Sequence, residues 1–165
     1  MAGPAHYSLP RPAFDRPVSI LIVVAPYHRD IADNLIAGAK AEIEAAGGTW
    51  ELAEVPGALE VPIAIGIAGR MASFDGYVGL GCIIRGETTH YDTVCNDSSR
   101  GLATLGLQGL CVGNGILTVE NQKQAWARAK VAEQDIGGGA ARAALALLAH
   151  KRRLTPVKSS GTKRK

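Results

Sequence analysis

The chain has 165 residues, 47% of them hydrophobic and 20% charged, enough to bury the core of one domain and too apolar for a chain disordered over most of its length. Its net charge of +3 conceals an uneven distribution: Lys151, Arg152, Arg153, Lys158, Lys163, Arg164 and Lys165 crowd the last fifteen positions, leaving 11 basic against 15 acidic groups, a net −4, in residues 1–150. An acidic body excludes a nucleic-acid-binding domain as the first reading, and a tail without aromatic residues offers only weak, salt-sensitive contact to phosphates.

Residues 1–17 contain Pro4, Pro10, Pro12 and Pro17, which block regular hydrogen bonding, so an extended arm is expected. Residues 18–25 form a continuous apolar, β-rich run of the kind buried on both faces, far too short to span a bilayer. Asp30 opens a helix with Ile31, Leu35, Ile36, Ala39 and Ile43 on one face, closed by Gly47 and Gly48. Residues 50–55 read as a second, half-buried strand, and Pro62 suits the first turn of a helix that bears Ile63, Ile67 and Met71 and ends near residue 73. Residues 77–84 are a third strand. Thr89 and Asp92 have the spacing of a capping box, from which a helix runs to about residue 105. Residues 110–117, broken by Gly113 and Gly115, are a fourth strand, after which Thr118 is expected to cap a helix with Ala125, Trp126 and Ala129 on its buried side. Gly137, Gly138 and Gly139 should separate that helix from an alanine-rich last one ending near residue 154, with residues 155–165 a basic, solvated tail.

Alternation at this spacing predicts an α/β three-layer sandwich, a four-stranded parallel sheet with helices on both faces over residues 18–154. Ligands of such sheets bind beyond the carboxyl ends of the strands, so four loops converge on one rim: residues 26–28, 56–60, 85–90 and 114–118. Cys82, Cys95 and Cys111 are an odd number without a close pair, which argues against a disulfide framework and for a reducing, cytoplasmic setting. No basic-then-apolar opening resembles a signal peptide.

The third rim loop carries the chemistry. Gly86, Glu87, Thr88 and Thr89 leave an apolar strand and enter a helix, which delivers bare amides and the positive end of a helix dipole to an anion. His90 follows in the first turn, where the same dipole disfavours imidazolium and leaves a ring able to pass a proton. A plain strand-to-helix turn with a surface histidine has the same pattern. The run from Gly81 to Thr88 has nucleotide P-loop spacing, but Glu87 stands where the lysine would neutralise phosphates, so an NTPase is disfavoured. Cys82, His90 and Cys95 make a poor zinc or cysteine-hydrolase site, because Cys82 lies in a buried strand and Cys95 within a helix. Tyr27 is either a cap on the core or a ring on which a planar ligand stacks. Glu60 either accepts hydrogen bonds from a ligand or favours its helix N-terminus. Arg128 reads equally as a solvated helix charge.

Three blocks, residues 55–62 (VPGALEVP), 81–92 (GCIIRGETTHYD) and 115–121 (GILTVEN, followed by Gln124, Ala125 and Arg128), occur in the order and at the spacing that resemble the 6,7-dimethyl-8-ribityllumazine synthases. The resemblance implies a flavodoxin-like fold and a transferase that condenses 5-amino-6-(D-ribitylamino)uracil with 3,4-dihydroxy-2-butanone 4-phosphate, the penultimate step of riboflavin synthesis. It implies no cofactor and no metal. It also implies a homopentamer, or a multiple of one, with sites between subunits, and riboflavin synthase as a candidate partner. Carried over, Tyr27 stacks on the pyrimidine; Ala58, Leu59, Glu60, Cys82, Ile83, Ile84 and Asn114 line the pyrimidine and ribityl pocket. Glu87 and Thr88 offer amides to the phosphate, Arg128 supplies its charge across the interface, and His90 shuttles protons. Two positions depart from the family pattern: Asn114 replaces a frequent aromatic and Ile136 a frequent lysine, so that ligand affinity is expected either to be lower or to be supplied by a neighbour such as Lys130. The competing expectation is a catalytically weak paralogue that keeps the assembly and binds lumazine or flavin.

Overall fold

A computed structural model describes residues 9–155; residues 1–8 of the expected arm and 156–165 of the basic tail lie outside the described residues. The order of elements is β1 (Ser19–Val24), α1 (Arg29–Ala45), β2 (Thr49–Glu54), α2 (Glu60–Met71), β3 (Gly76–Ile84), α3 (His90–Leu107), β4 (Val112–Val119), α4 (Gln122–Ala129) and α5 (Ile136–Leu154). All strand pairs are parallel, in the order β2-β1-β3-β4. The expected α/β three-layer fold is the one observed.

β1 and β3 are the central strands and the most apolar. Ile20, Ile22 and Val24 of β1 and Val78 and Leu80 of β3 meet α1 and α5 on one face, while Leu21, Val23 and Tyr77 meet α2 and α3 on the other. The helical stripe predicted for α1 is buried throughout: Ile31, Leu35, Ile36, Ala39 and Ile43. Gly47, at φ +75°, takes the left-handed turn that closes α1, and the Gly48 N–H bonds the Ile43 carbonyl at 2.9 Å.

Residues 9–17 carry no regular secondary structure, yet they are tied down. Arg11 donates to both carboxylate oxygens of the buried Glu42 at 2.9 and 3.1 Å, and Arg142 of α5 also pairs with Glu42. Phe14 packs on the core, and Arg152 lies over its ring and donates to the Arg16 and Pro17 carbonyls.

Three local expectations need correction. Thr118 does not cap α4, because β4 does not stop at residue 117 but runs on to Val119, with Thr118 paired to Ile83 and Val119 to Ile84 of β3; Asn121 is the cap, accepting from the Gln124 N–H at 3.0 Å. Thr89 and Asp92 form no capping box: Thr89 makes no side-chain cap bond, and the Asp92 carboxylate turns to Arg85 at 3.7 Å. Gly137, Gly138 and Gly139 do not separate two helices but form the first turn of α5, with Asp135 as cap accepting from the Gly138 N–H at 3.1 Å. Their smallness serves close approach, since a Cβ on Gly137 would strike the Leu35 main chain of α1.

Candidate active site

The rim is aligned by hydrogen bonds between neighbouring strand ends: Ala25 N–H to the Leu80 carbonyl at 3.0 Å, Val55 N–H to Val24 at 2.9 Å, and Arg85 N–H to Val119 at 2.9 Å. Beyond these ends lies an open cleft of about 480 Å³, lined by residues from β1, the β2–α2 turn, the end of β3 and the start of α3.

Of the residues singled out from sequence, Tyr27, Ala58, Leu59, Glu60, Cys82, Ile83, Ile84 and His90 all line this cleft. Tyr27 is 81% exposed, so it caps no core; its ring meets that of His28 edge to face, with centroids 5.1 Å apart. The Gly57–Glu60 turn is closed by the Glu60 N–H on the Gly57 carbonyl at 3.1 Å, and the Glu60 carboxylate folds back over Gly57 at the N-terminus of α2. Burial pushes the Cys82 thiol up to about 11, so it stays a neutral, apolar wall of the cleft at physiological pH. His28, Pro56, Gly57 and Val94 also line the cleft, although no role was assigned to them from sequence. Val94 had a readable signal: it lies one helical turn after His90 and shares its face.

Glu87 and Thr88 lie beside the cleft, not in its wall, and are exposed. Among the described residues, no group accepts from the main-chain N–H groups of Gly86, Glu87, Thr88 or Thr89. Four unpaired donors precede α3, whose first residue is His90, and such a turn is suited to an anion. Arg85, at its entrance, is committed elsewhere: Nε bonds Glu120 at 2.8 Å, and the guanidinium lies 4.2 Å from the Tyr91 ring centroid. Asn114 and Arg128 lie outside the cleft of their own chain. Asn114 is exposed on β4, where its side-chain oxygen accepts from the Ile116 N–H at 3.0 Å. Arg128 is half-buried on α4 and donates to the Gln124 carbonyl at 3.0 Å. Ile136, in the place of the frequent lysine, packs against the core, and Lys130 pairs with Glu133 at 3.2 Å.

A family model described as 6,7-dimethyl-8-ribityllumazine synthase matches residues 17–152. The chain belongs to this family. Among its curated relatives is a 6,7-dimethyl-8-ribityllumazine synthase of Jannaschia sp. (strain CCS1), 54% identical over 90% of this chain and 84% of that one. Another is 6,7-dimethyl-8-ribityllumazine synthase 1 of Rhizobium meliloti (strain 1021), 52% identical over 84% of this chain and 95% of its own length. A third, of Methylorubrum populi (strain ATCC BAA-705 / NCIMB 13946 / BJ001), is 56% identical over 81% and 82% of the two chains. The family match spans every element from β1 into the last turn of α5, so cleft and turn both lie within it. Among the described residues, no helix is long and apolar enough to cross a membrane.

Proposed function

We infer that this chain is a transferase that condenses 5-amino-6-(D-ribitylamino)uracil with 3,4-dihydroxy-2-butanone 4-phosphate to give 6,7-dimethyl-8-ribityllumazine, in riboflavin biosynthesis. Family membership and relatives above 50% identity support the reaction, and no observation favours a binding-only paralogue. The observation that carries the site assignment is the row of four unpaired amides beside a cleft that also contains an exposed imidazole.

The steps match these groups. The primary amine adds to the ketone carbonyl and water leaves, giving an imine; the carbon bearing the hydroxyl then loses a proton as phosphate departs by elimination, and the resulting enol tautomerises to a new ketone; the ribitylamino nitrogen closes the ring on that carbonyl with loss of a second water. Each step moves protons, and His90 is the group assigned to move them. The phosphate bound to the amides of Glu87 and Thr88 is also the leaving group, so one turn both orients the substrate and stabilises charge as it departs. The pyrimidine stacks on Tyr27, with its ribityl chain along residues 58–60 and 82–84.

Among the described residues of a single chain this leaves the phosphate without a cation, since Arg85 is paired and Arg128 lies outside the cleft. We assign Arg128 and Asn114 to the site of an adjacent copy in a ring of five. Ile63, Ile67, Met71 and Leu107, exposed on α2 and α3, support an assembled form, because apolar surface of this kind is normally covered.

The test is turnover. The wild-type protein should form lumazine from the two substrates, and His90→Ala should slow it by ~10²-fold while ligand affinity is largely kept. A correctly assembled wild-type protein that forms none would contradict the reading.

A further inference from the structure

We propose that Glu120, which does not line the cleft, is a positioning residue whose carboxylate holds the phosphate turn through Arg85, while its main-chain N–H ties the same strand end through Gln124 to Arg128. This rests on the reading of the β3–α3 turn as the phosphate site.

The turn needs an anchor. A Cβ built on Gly86 meets nothing within 4 Å, so neither packing nor a side chain restrains the backbone there, and glycine has the widest choice of conformations. The turn is therefore restrained from its two ends, and Arg85, the residue before it, is fixed twice to the end of β4. Its N–H bonds the Val119 carbonyl at 2.9 Å and its Nε bonds Glu120 Oε2 at 2.8 Å. Asp92, on the first turn of α3, reaches the same guanidinium at 3.7 Å, and Tyr91 lies under it. Both ends of the turn are thus drawn to one cation that Glu120 holds.

Glu120 also leads the other way. Its N–H bonds the Gln124 side-chain oxygen at 2.9 Å, the Gln124 N–H bonds Asn121 at 3.0 Å, and the Gln124 carbonyl accepts from Arg128 at 3.0 Å. The turn that grips phosphate in one site and the arginine lent to the next are therefore joined within one chain by consecutive hydrogen bonds. Arg85 and Glu120 are about half exposed, and ion pairs of that exposure contribute little to stability. What the pair supplies is orientation, which a melting curve does not read but a Michaelis constant does.

The experiment compares wild type, Glu120→Gln and Glu120→Ala in steady-state assays of both substrates, in inhibition by inorganic phosphate, and in thermal melts. Glu120→Ala should raise KM for the phosphorylated ketone and Ki for inorganic phosphate by about 10-fold, the loss expected for one charge-assisted hydrogen bond. KM for the pyrimidine and the melting temperature should stay near wild type, and Glu120→Gln, which keeps an acceptor without the charge, should fall between. A ketone KM within twofold of wild type, or a decrease, overturns the proposal. So does an equal rise in both constants together with a lower melting temperature, the mark of a general structural effect. A wild-type protein that forms no lumazine would instead remove the functional reading beneath it.

Discussion

On one side of the sheet α1, α4 and α5 close over Ile22, Val24, Leu35, Ile43, Val78 and Leu145, all fully buried; on the other, α2 and α3 leave Ile63, Ile67, Met71 and Leu107 exposed by 59, 53, 81 and 91%. The first layer is largely closed within one chain, with Leu147 and Leu154 its exposed apolar side chains on α5, and it even holds the arm, through Arg11 on Glu42 and Arg152 on the Arg16 and Pro17 carbonyls. The second buries Val61, Ile65 and Leu102 against the sheet, with Ala64, Ala68 and Leu105 packed partly beside them, and leaves Ile63, Ile67, Met71 and Leu107 open. A chain built this way closes one side of its sheet and leaves apolar surface open on the other. At the rim, the cleft wall and the amides lie together in one chain, while Asn114 and Arg128 lie outside its cleft.

The largest effect should follow from damage to the closed layer. Leu35→Ala removes a fully buried side chain facing β1 and α5, and should cost about 2–5 kcal/mol in urea unfolding. A loss well under that range would mean the layer is less tightly packed than described. Ile67→Asp, on the open layer, should change the chain's own stability by no more than about 0.5 kcal/mol, yet lower the mass seen by light scattering. If it unfolds the chain as severely as Leu35→Ala, the contrast between the layers fails.

The smallest effect concerns the arm and acid. Burial, the largest single influence, pushes the Glu42 carboxyl up, but the hydrogen bonds and charges of Arg11 and Arg142 together outweigh it and hold Glu42 below its ordinary value. A carboxylate lowered in the folded state stabilises fully above its unfolded pKa, and that contribution is lost as pH falls through the folded value. Wild type should therefore melt above Glu42→Gln at pH 7, with the gap closing below about pH 4. A gap that persists undiminished into acid would contradict the sign.

The strands and their order were legible because residues 18–25 and 77–84 can only be buried on both faces, and the α1 stripe because its period is that of a helix. What sequence misread were residues whose meaning depends on a neighbour. Gly137 looks like a break until α1 is packed beside it. Thr118 looks like a cap until β4 is seen to run on to Val119 beside Ile84, and Asp92 like half of a capping box until Arg85 takes its carboxylate. The cleft wall was legible by the same rule: residues 82–84 are consecutive at a strand end and residues 58–60 share one turn, so both reach the same rim. The Arg85, Glu120, Gln124 and Arg128 chain was not, because it runs between loops that only the parallel sheet brings together.

The central claim is a site shared between copies, and subunit mixing tests it most directly. His90→Ala and Arg128→Ala chains are co-expressed in equal amounts and assayed with the phosphorylated substrate held below the wild-type KM. If His90 and Arg128 of different chains meet in one site, random assembly leaves about one quarter of the sites intact, and the mixture should recover about that fraction of wild-type turnover above either parent. Turnover no greater than the average of the two parents would mean that each chain builds its site alone, and would contradict the account.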